Sequence, residues 1–226
     1  MNKTTWNICK FVPLKHLYMK RVLLLAIIFI SIPALLIADG KKKKPASGST
    51  ETAAKTAEEN NNEIHWITSI DELQAKMQVN PKKVYFDVYT GWCGWCKKMD
   101  ATTFQNPDLI KYMNTNFYAV KLDAERQDVI HFMGKEYKFE PQYKANTFAV
   151  EMLKGSMSYP TSVFMTENFQ NPNPIPGYHT VQEMELFMSF FGDNAYKHES
   201  FPDYQKTFKP RWDHGQAPDM TPPTAH

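Results

Sequence analysis

The chain has 226 residues, 42% hydrophobic and 14% aromatic, enough for one domain with a sizeable core plus extensions. Its formal charge of +2 comes from the start of the chain, since residues 1–38 hold five basic residues (Lys3, Lys10, Lys15, Lys20, Arg21) and no acidic one, leaving 21 basic against 24 acidic residues, or −3, beyond them. That balance excludes nucleic acid, and any partner recognised by strong charge alone.

Lys20-Arg21 precede a nearly unbroken apolar run, Val22 to Ile37, and the small residue Ala38 follows at a cleavage position. Residues 1–38 therefore read as a secretory signal peptide, with an uncut signal anchor as the alternative. As a helix the run would span about 24 Å, short of the roughly 30 Å of a bilayer core, which favours cleavage. The expected location is periplasmic or otherwise exported, with a tether to the inner membrane if the run stays uncut. Residues 39–62 are Lys, Ala, Ser, Thr, Glu and Asn with almost no large apolar residue, a flexible linker. Its Lys41 to Lys44 run is either a solvated tether or a contact for anionic lipid head groups.

The folded domain is expected over residues 63–192. Ser69 and Glu72 form a capping box ahead of Ile70, Leu73 and Met77, which share one helical face. Val84 to Tyr89 is a strand apolar on both faces, hence central in a sheet. A helix runs from the following cysteine pair through Met99. Asn106 caps a further helix with Pro107 at its first position and Leu109, Ile110 and Met113 facing inward. Phe117 to Leu122 is the next strand, and strand, helix, strand at this spacing gives a right-handed parallel crossover. Val129 to Phe132 and Tyr137 to Phe139 suggest a small hairpin turning at Gly134. Asn146 to Lys154 reads as a helix ending at Gly155. Thr161 to Met165 is a strand, and Ile175 to Tyr178 its antiparallel partner. Thr180 and Glu183 cap a last helix whose Val181, Met184, Met188 and Phe191 line one side. Residues 193–208 are an aromatic-rich extension that packs onto the domain, and 209–226 a Pro-rich, disordered tail.

Chemistry concentrates in Trp92-Cys93-Gly94-Trp95-Cys96-Lys97, directly after the central strand. Two thiols three positions apart at a helix start can bond across one turn, and the unpaired N–H groups there favour a thiolate on the first cysteine. Of the three cysteines, Cys9 precedes the cleavage position, so the mature chain would keep only this pair and have no structural disulfide. A zinc site needs two further ligands, and His65, His131, His179, His198 and His214 are scattered; no metal is expected.

The stretch Phe86 to Lys97, followed by Tyr159-Pro160-Thr161 before another strand, resembles the thioredoxin superfamily. The Asn106-Pro107 helix makes it similar to exported domains related to the C-terminal domain of transmembrane thiol–disulfide reductases. The similarity covers roughly residues 66–191. It implies a thioredoxin-like α/β fold, a central mixed β-sheet flanked by helices, with an insertion before the cis-proline loop. That insertion is expected beside the active-site face, where it would restrict partners. Gly94-Trp95 stands between the cysteines where thioredoxin itself has a proline.

The resemblance implies roles. Cys93 is the nucleophile and Cys96, more buried, resolves the mixed disulfide. Asp87 is a buried carboxylate that relays protons to Cys96, against the alternative of an ordinary strand aspartate. Lys121 matches a lysine near that carboxylate or is a plain strand-end lysine. Pro160 is expected to be cis, and Tyr159 to offer its backbone to an extended peptide. Trp92 and Trp95 would form an apolar rim for substrate, unless Trp95 packs on the insertion. Lys97 and Lys98 add positive potential or are simply solvated. The expected function is an exported thiol–disulfide oxidoreductase acting on protein thiols and disulfides, more a reductase than an oxidant. It needs no cofactor beyond the Cys93–Cys96 disulfide, and depends on a separate electron donor, for instance a membrane reductase. The alternative is a non-catalytic peptide-binding module or holdase.

Overall fold

The computed structural model describes residues 62–215 and 221–223. The expected signal (1–38) and nearly all of the expected linker (39–62) lie outside the described residues. Among the described residues no helix is long and apolar enough to cross a membrane.

A five-stranded sheet organises the domain: β1 (Trp66–Ile67), β2 (Lys83–Tyr89), β3 (Phe117–Asp123), β8 (Thr161–Met165) and β9 (Asn173–Pro176), in the order β1-β3-β2-β8-β9. Strands β1 and β2 run parallel to β3, whereas β8 runs antiparallel to β2 and β9 to β8. This is the mixed sheet of a thioredoxin-like fold. Strand β2 is central because its β-branched and aromatic residues are apolar on both faces. Alternation along it sends Val84, Phe86 and Val88 to one core and Tyr85 to the other. Asp87 therefore shares the face of Tyr85, and that placement decides its chemistry.

The Tyr85 face is covered by α2 (Gly94–Ala101), α3 (Pro107–Asn116) and α5 (Val181–Gly192), through Met99, Leu109, Ile110, Met113, Met184 and Met188. The caps form as the residues dictate. Asn106 accepts from Leu109 N with Pro107 at the first turn, and Thr180 and Glu183 complete a reciprocal capping box. At α1 (Ile70–Val79) only half of the expected box forms: Ser69 accepts from Glu72 N, while the Glu72 carboxylate lies 3.6 Å from Lys76 one turn on.

The opposite face is covered by α1 and by the 124–157 region, which holds the hairpin β4 (Ile130–Phe132) and β5 (Lys135–Tyr137), the two-residue strands β6 (Phe139–Glu140) and β7 (Ala145–Asn146), and α4 (Thr147–Met152). The first hairpin turns at Met133-Gly134, both with positive φ (51° and 78°), as a tight two-residue turn requires. Phe139 leaves it to open a second hairpin, β6–β7, which sequence reasoning missed. Helix α4 stops at Met152, two residues early, because Lys154 and Gly155 adopt left-handed conformations (φ 51° and 78°). The insertion is mostly core, with Phe148 fully buried among Phe86, Phe132 and Tyr137, while Glu125 near its start reaches Trp92 beside the cysteine pair.

Three further expectations are corrected. The partner of β8 is Asn173–Pro176 rather than 175–178; an edge strand tolerates Pro174 and Pro176, which lack the N–H a central strand would use. In α5, Met184 and Met188 are buried, but Val181 and Phe191 are only half-buried, and Glu185, Ser189 and Phe190 complete the inner side. The 193–208 extension does pack on the domain: α6 (Phe201–Thr207) stacks Phe201 on Phe187 and sets it edge to face against Phe190. Residues 209–215, however, are docked rather than frayed. The buried Glu185 carboxylate accepts from Arg211 N (2.5 Å), Trp212 N (3.1 Å) and the His214 ring (2.5 Å). Trp212 lies against Tyr112.

Candidate functional site

Strand β2 ends at Tyr89, and Thr90 to Trp92 turn the chain into α2, whose N-cap is Cys93. Cys93 and Cys96 form a disulfide, with Cα atoms 5.3 Å apart. One helical turn sets that separation, so the pair bonds without moving the backbone. The Cys93 sulfur also accepts from Cys96 N at 3.0 Å, the position of an N-cap oxygen. On reduction this contact and the helix N-terminus favour a thiolate on Cys93. The burial contrast expected between the two is small: Cys93 is 4% exposed and Cys96 2%.

Beneath α2 lies a charge cluster. Lys121 is the register partner of Asp87 across the parallel β2–β3 pair, and its ammonium donates to Asp87 Oδ2 at 2.6 Å. The same ammonium pairs with Asp100 on α2. Asp100 is four residues after Cys96 and so on its side of the helix. The cluster therefore ties β2 and β3 to the face of α2 that carries Cys96. Burial pushes the Asp87 carboxyl above its ordinary value of 3.8, against the pull of Lys121. Burial works to lower the Lys121 ammonium, but Asp87 and Asp100 outweigh it and hold Lys121 above its ordinary value. The rings of Trp66, Phe104 and Tyr89 surround Lys121 at 4.8 to 5.3 Å. Asp87 Oδ1 is buried and has no hydrogen-bond partner. A buried carboxylate oxygen left open in this way can take up a proton.

The Tyr159–Pro160 bond is cis, and Pro160 O accepts from Gly177 N at 2.8 Å. Trp92 is 67% exposed, meets Tyr159 edge to face at 5.9 Å, and donates its indole N–H to both oxygens of Glu125 at 3.1 Å. Burial, then the Glu125 and Asp123 charges, raise the Tyr159 hydroxyl above 10.0. Trp95 is half-buried. Its ring packs on Tyr178 at 5.4 Å, with the Lys98 ammonium 5.1 Å from its centroid. Lys97 is exposed.

The structure thus joins Cys93 to Cys96 at the N-terminus of α2, ties Asp87 and Lys121 to Asp100 near its other end, and sets Trp92 against Tyr159. Sequence reasoning missed Asp100, Glu125 and Tyr178. Asp100 had a signal, its spacing of four from Cys96; Glu125 and Tyr178 are brought in by the fold alone.

A family model, Thioredox_DsbH, described as a protein of unknown function, DUF255, matches residues 49–191, more than half of the chain. The uncharacterized protein B0495.5 of Caenorhabditis elegans is 32% identical over 118 residues, 52% of this chain and 14% of that protein. The thiol:disulfide interchange protein DsbD of Campylobacter jejuni is 29% identical over 63 residues, 28% of this chain and 11% of that protein. Among solved structures, a thioredoxin-fold protein from Helicobacter pylori aligns at 17% identity and a TM-score of 0.42, covering 62% of this chain and 82% of that one. The chain covers only about a seventh or less of the length of the curated relatives it matches.

Proposed function

We propose that this chain, which belongs to the Thioredox_DsbH (DUF255) family, is a thiol–disulfide oxidoreductase exchanging disulfides with protein clients through Cys93 and Cys96. The observation that carries this reading is a disulfide at a helix N-terminus, with a buried carboxylate bearing an open oxygen on the strand that leads into that helix.

In the reductive direction the Cys93 thiolate attacks one sulfur of a client disulfide. A mixed disulfide forms, and the second client sulfur leaves as a thiolate and is protonated. Cys96 gives its proton to Asp87 and attacks Cys93 Sγ, and the remaining client sulfur departs. The client gains two electrons and the Cys93–Cys96 bond is restored. The exchange uses no cofactor, since the cysteine pair is the redox centre. A raised Asp87 suits this step, because burial makes its carboxylate a better proton acceptor than an exposed aspartate.

Trp92 and Tyr159 supply an apolar edge for an extended client segment alongside Pro160. Export to a periplasm and a reductase role belong to this reading as well. The apolar run 22–37 supports export, and Asp87 and the partial likeness to DsbD support reduction. A reductase in an oxidising compartment needs electrons from a separate donor, for which a membrane reductase is the fitting class.

The decisive experiment is a trap. Cys96→Ala, expressed in cells, accumulates mixed disulfides on Cys93 that mass spectrometry identifies, while Cys93→Ser yields none and loses insulin-reducing activity. Absence of adducts from the Cys96→Ala protein, with peptide binding retained by Cys93→Ser, would instead favour a holdase.

A further inference from the structure

Cys93 must be reached in line by a thiolate, yet it is nearly closed off. Three features of the C-terminal segment bear on this. The Thr221 carbonyl accepts from Lys98 Nζ on α2 at 2.9 Å. A methyl group at Gly94 would lie 3.0 Å from Pro223 Cβ and 3.4 Å from its Cγ, so the proline ring rests on the residue between Cys93 and Trp95. Upstream, the segment is pinned at Glu185, and Asp213 is held by Asn106 Nδ2 on its carbonyl (2.6 Å) and by Asp108 on its N–H (3.0 Å). Those anchors carry the chain from α5 to the N-terminus of α3.

Gly94 does not have a positive φ, so the backbone does not demand glycine there. The space taken by Pro223 does. We infer that Thr221-Pro222-Pro223 occupies a peptide-docking surface on the α2 flank of the redox pair, formed by Gly94 and Lys98, and shields Cys93 until it is displaced. This rests on the oxidoreductase reading and adds an occupant to the same site. The occupant suits a displaceable cover. Two of its three residues are prolines without an N–H, so it cannot pair as a full strand. An extended client with both donors and acceptors competes with it on favourable terms. A proline-containing extended peptide is accordingly the class of ligand this flank accepts.

The test compares the full chain with a chain ending at Gly215, which keeps the Glu185 anchors. Both are prepared oxidised and reduced with dithiothreitol. Its thiolate attacks Cys93 Sγ, the disulfide breaks with Cys96 as leaving group, and ring closure of the reagent releases Cys93. The shortened chain should react on the order of tenfold faster, the factor expected when one hydrogen bond and a half-buried proline ring hold a segment closed. Lys98→Ala in the full chain should fall between the two. Equal rates for all three proteins overturn the inference. Should the shortened chain lose its fold by circular dichroism, Lys98→Ala alone decides, and an unchanged rate overturns it. The readout needs no client, so failure here is separate from failure of the Cys96→Ala trap.

Discussion

Asp87 ties the proposed chemistry to a consequence for stability. Burial raises its carboxyl above the unfolded value, so the folded chain holds that proton to higher pH than the unfolded chain does. Its contribution to stability is then fully present below the unfolded value of 3.8 and is lost as pH climbs through the raised one. Asp87→Asn removes this titration and leaves Lys121 paired with Asp100. In the oxidised protein, where neither cysteine titrates, the variant should be more stable than wild type at neutral pH and show a flatter dependence on pH. Urea unfolding from pH 4 to 8 measures this, and a slope equal to wild type's would mean that Lys121 cancels the burial in full. The same variant should also release trapped client more slowly at pH 7, since Cys96 loses its proton acceptor. Much of this was legible in the residues: an acid in a strand apolar on both faces has no solvent side to turn to. The unpartnered Oδ1 was not, because it depends on how the single Lys121 ammonium is shared between Asp87 and Asp100.

Among the elements, the 124–157 insertion shows how far local signals reach. The Met133-Gly134 turn, the Asn146 cap and the Gly155 stop are short-range chemistry, and each appears where its residues ask for it, α4 falling two residues short. Its destination is not local. The region lies over the Phe86 face because Ile130, Phe132, Tyr137, Phe148 and Met152 need an apolar wall, and α1 alone does not cover that side. The β6–β7 hairpin escaped notice because two-residue strands carry no periodicity to read. Phe148→Ala therefore tests whether the insertion is core. Deleting a fully buried ring set among Phe86, Phe132 and Tyr137 should cost about 3–5 kcal/mol, read as a lower urea midpoint at unchanged slope. The rate of disulfide reduction by dithiothreitol in the folded variant should stay close to wild type. A loss below about 1 kcal/mol would mean the insertion rests on the sheet without holding it.

For the molecule as a whole, the chain returns to its own redox end, and one buried charge directs that return. Glu185 lies on the inner side of α5, fully buried, and its partners come from residues 211–214. A hydropathy reading of α5 finds the methionines and passes over this glutamate, because nothing local distinguishes an inward carboxylate from a solvated one. Composition misled in the same way at 209–215, where proline content in the tail suggested fraying but backbone donors find an acceptor across the core. Glu185→Gln keeps an oxygen for the Arg211 and Trp212 N–H groups but gives up the charge that His214 meets. Glu185→Ala leaves those N–H groups without a partner, at about 1–3 kcal/mol for each buried one. The alanine variant should expose Arg211 to trypsin while the sheet core resists, and the glutamine variant should be cut at an intermediate rate. The melting temperature should fall by roughly 2–4 °C for each kcal/mol lost in a domain of this size. If cleavage at Arg211 is as slow in the alanine variant as in wild type, then Trp212 against Tyr112 holds the segment and the carboxylate is a passenger. If instead the alanine variant is cut throughout the core, Glu185 supports α5 itself, and the docked segment is part of the fold rather than a strap upon it.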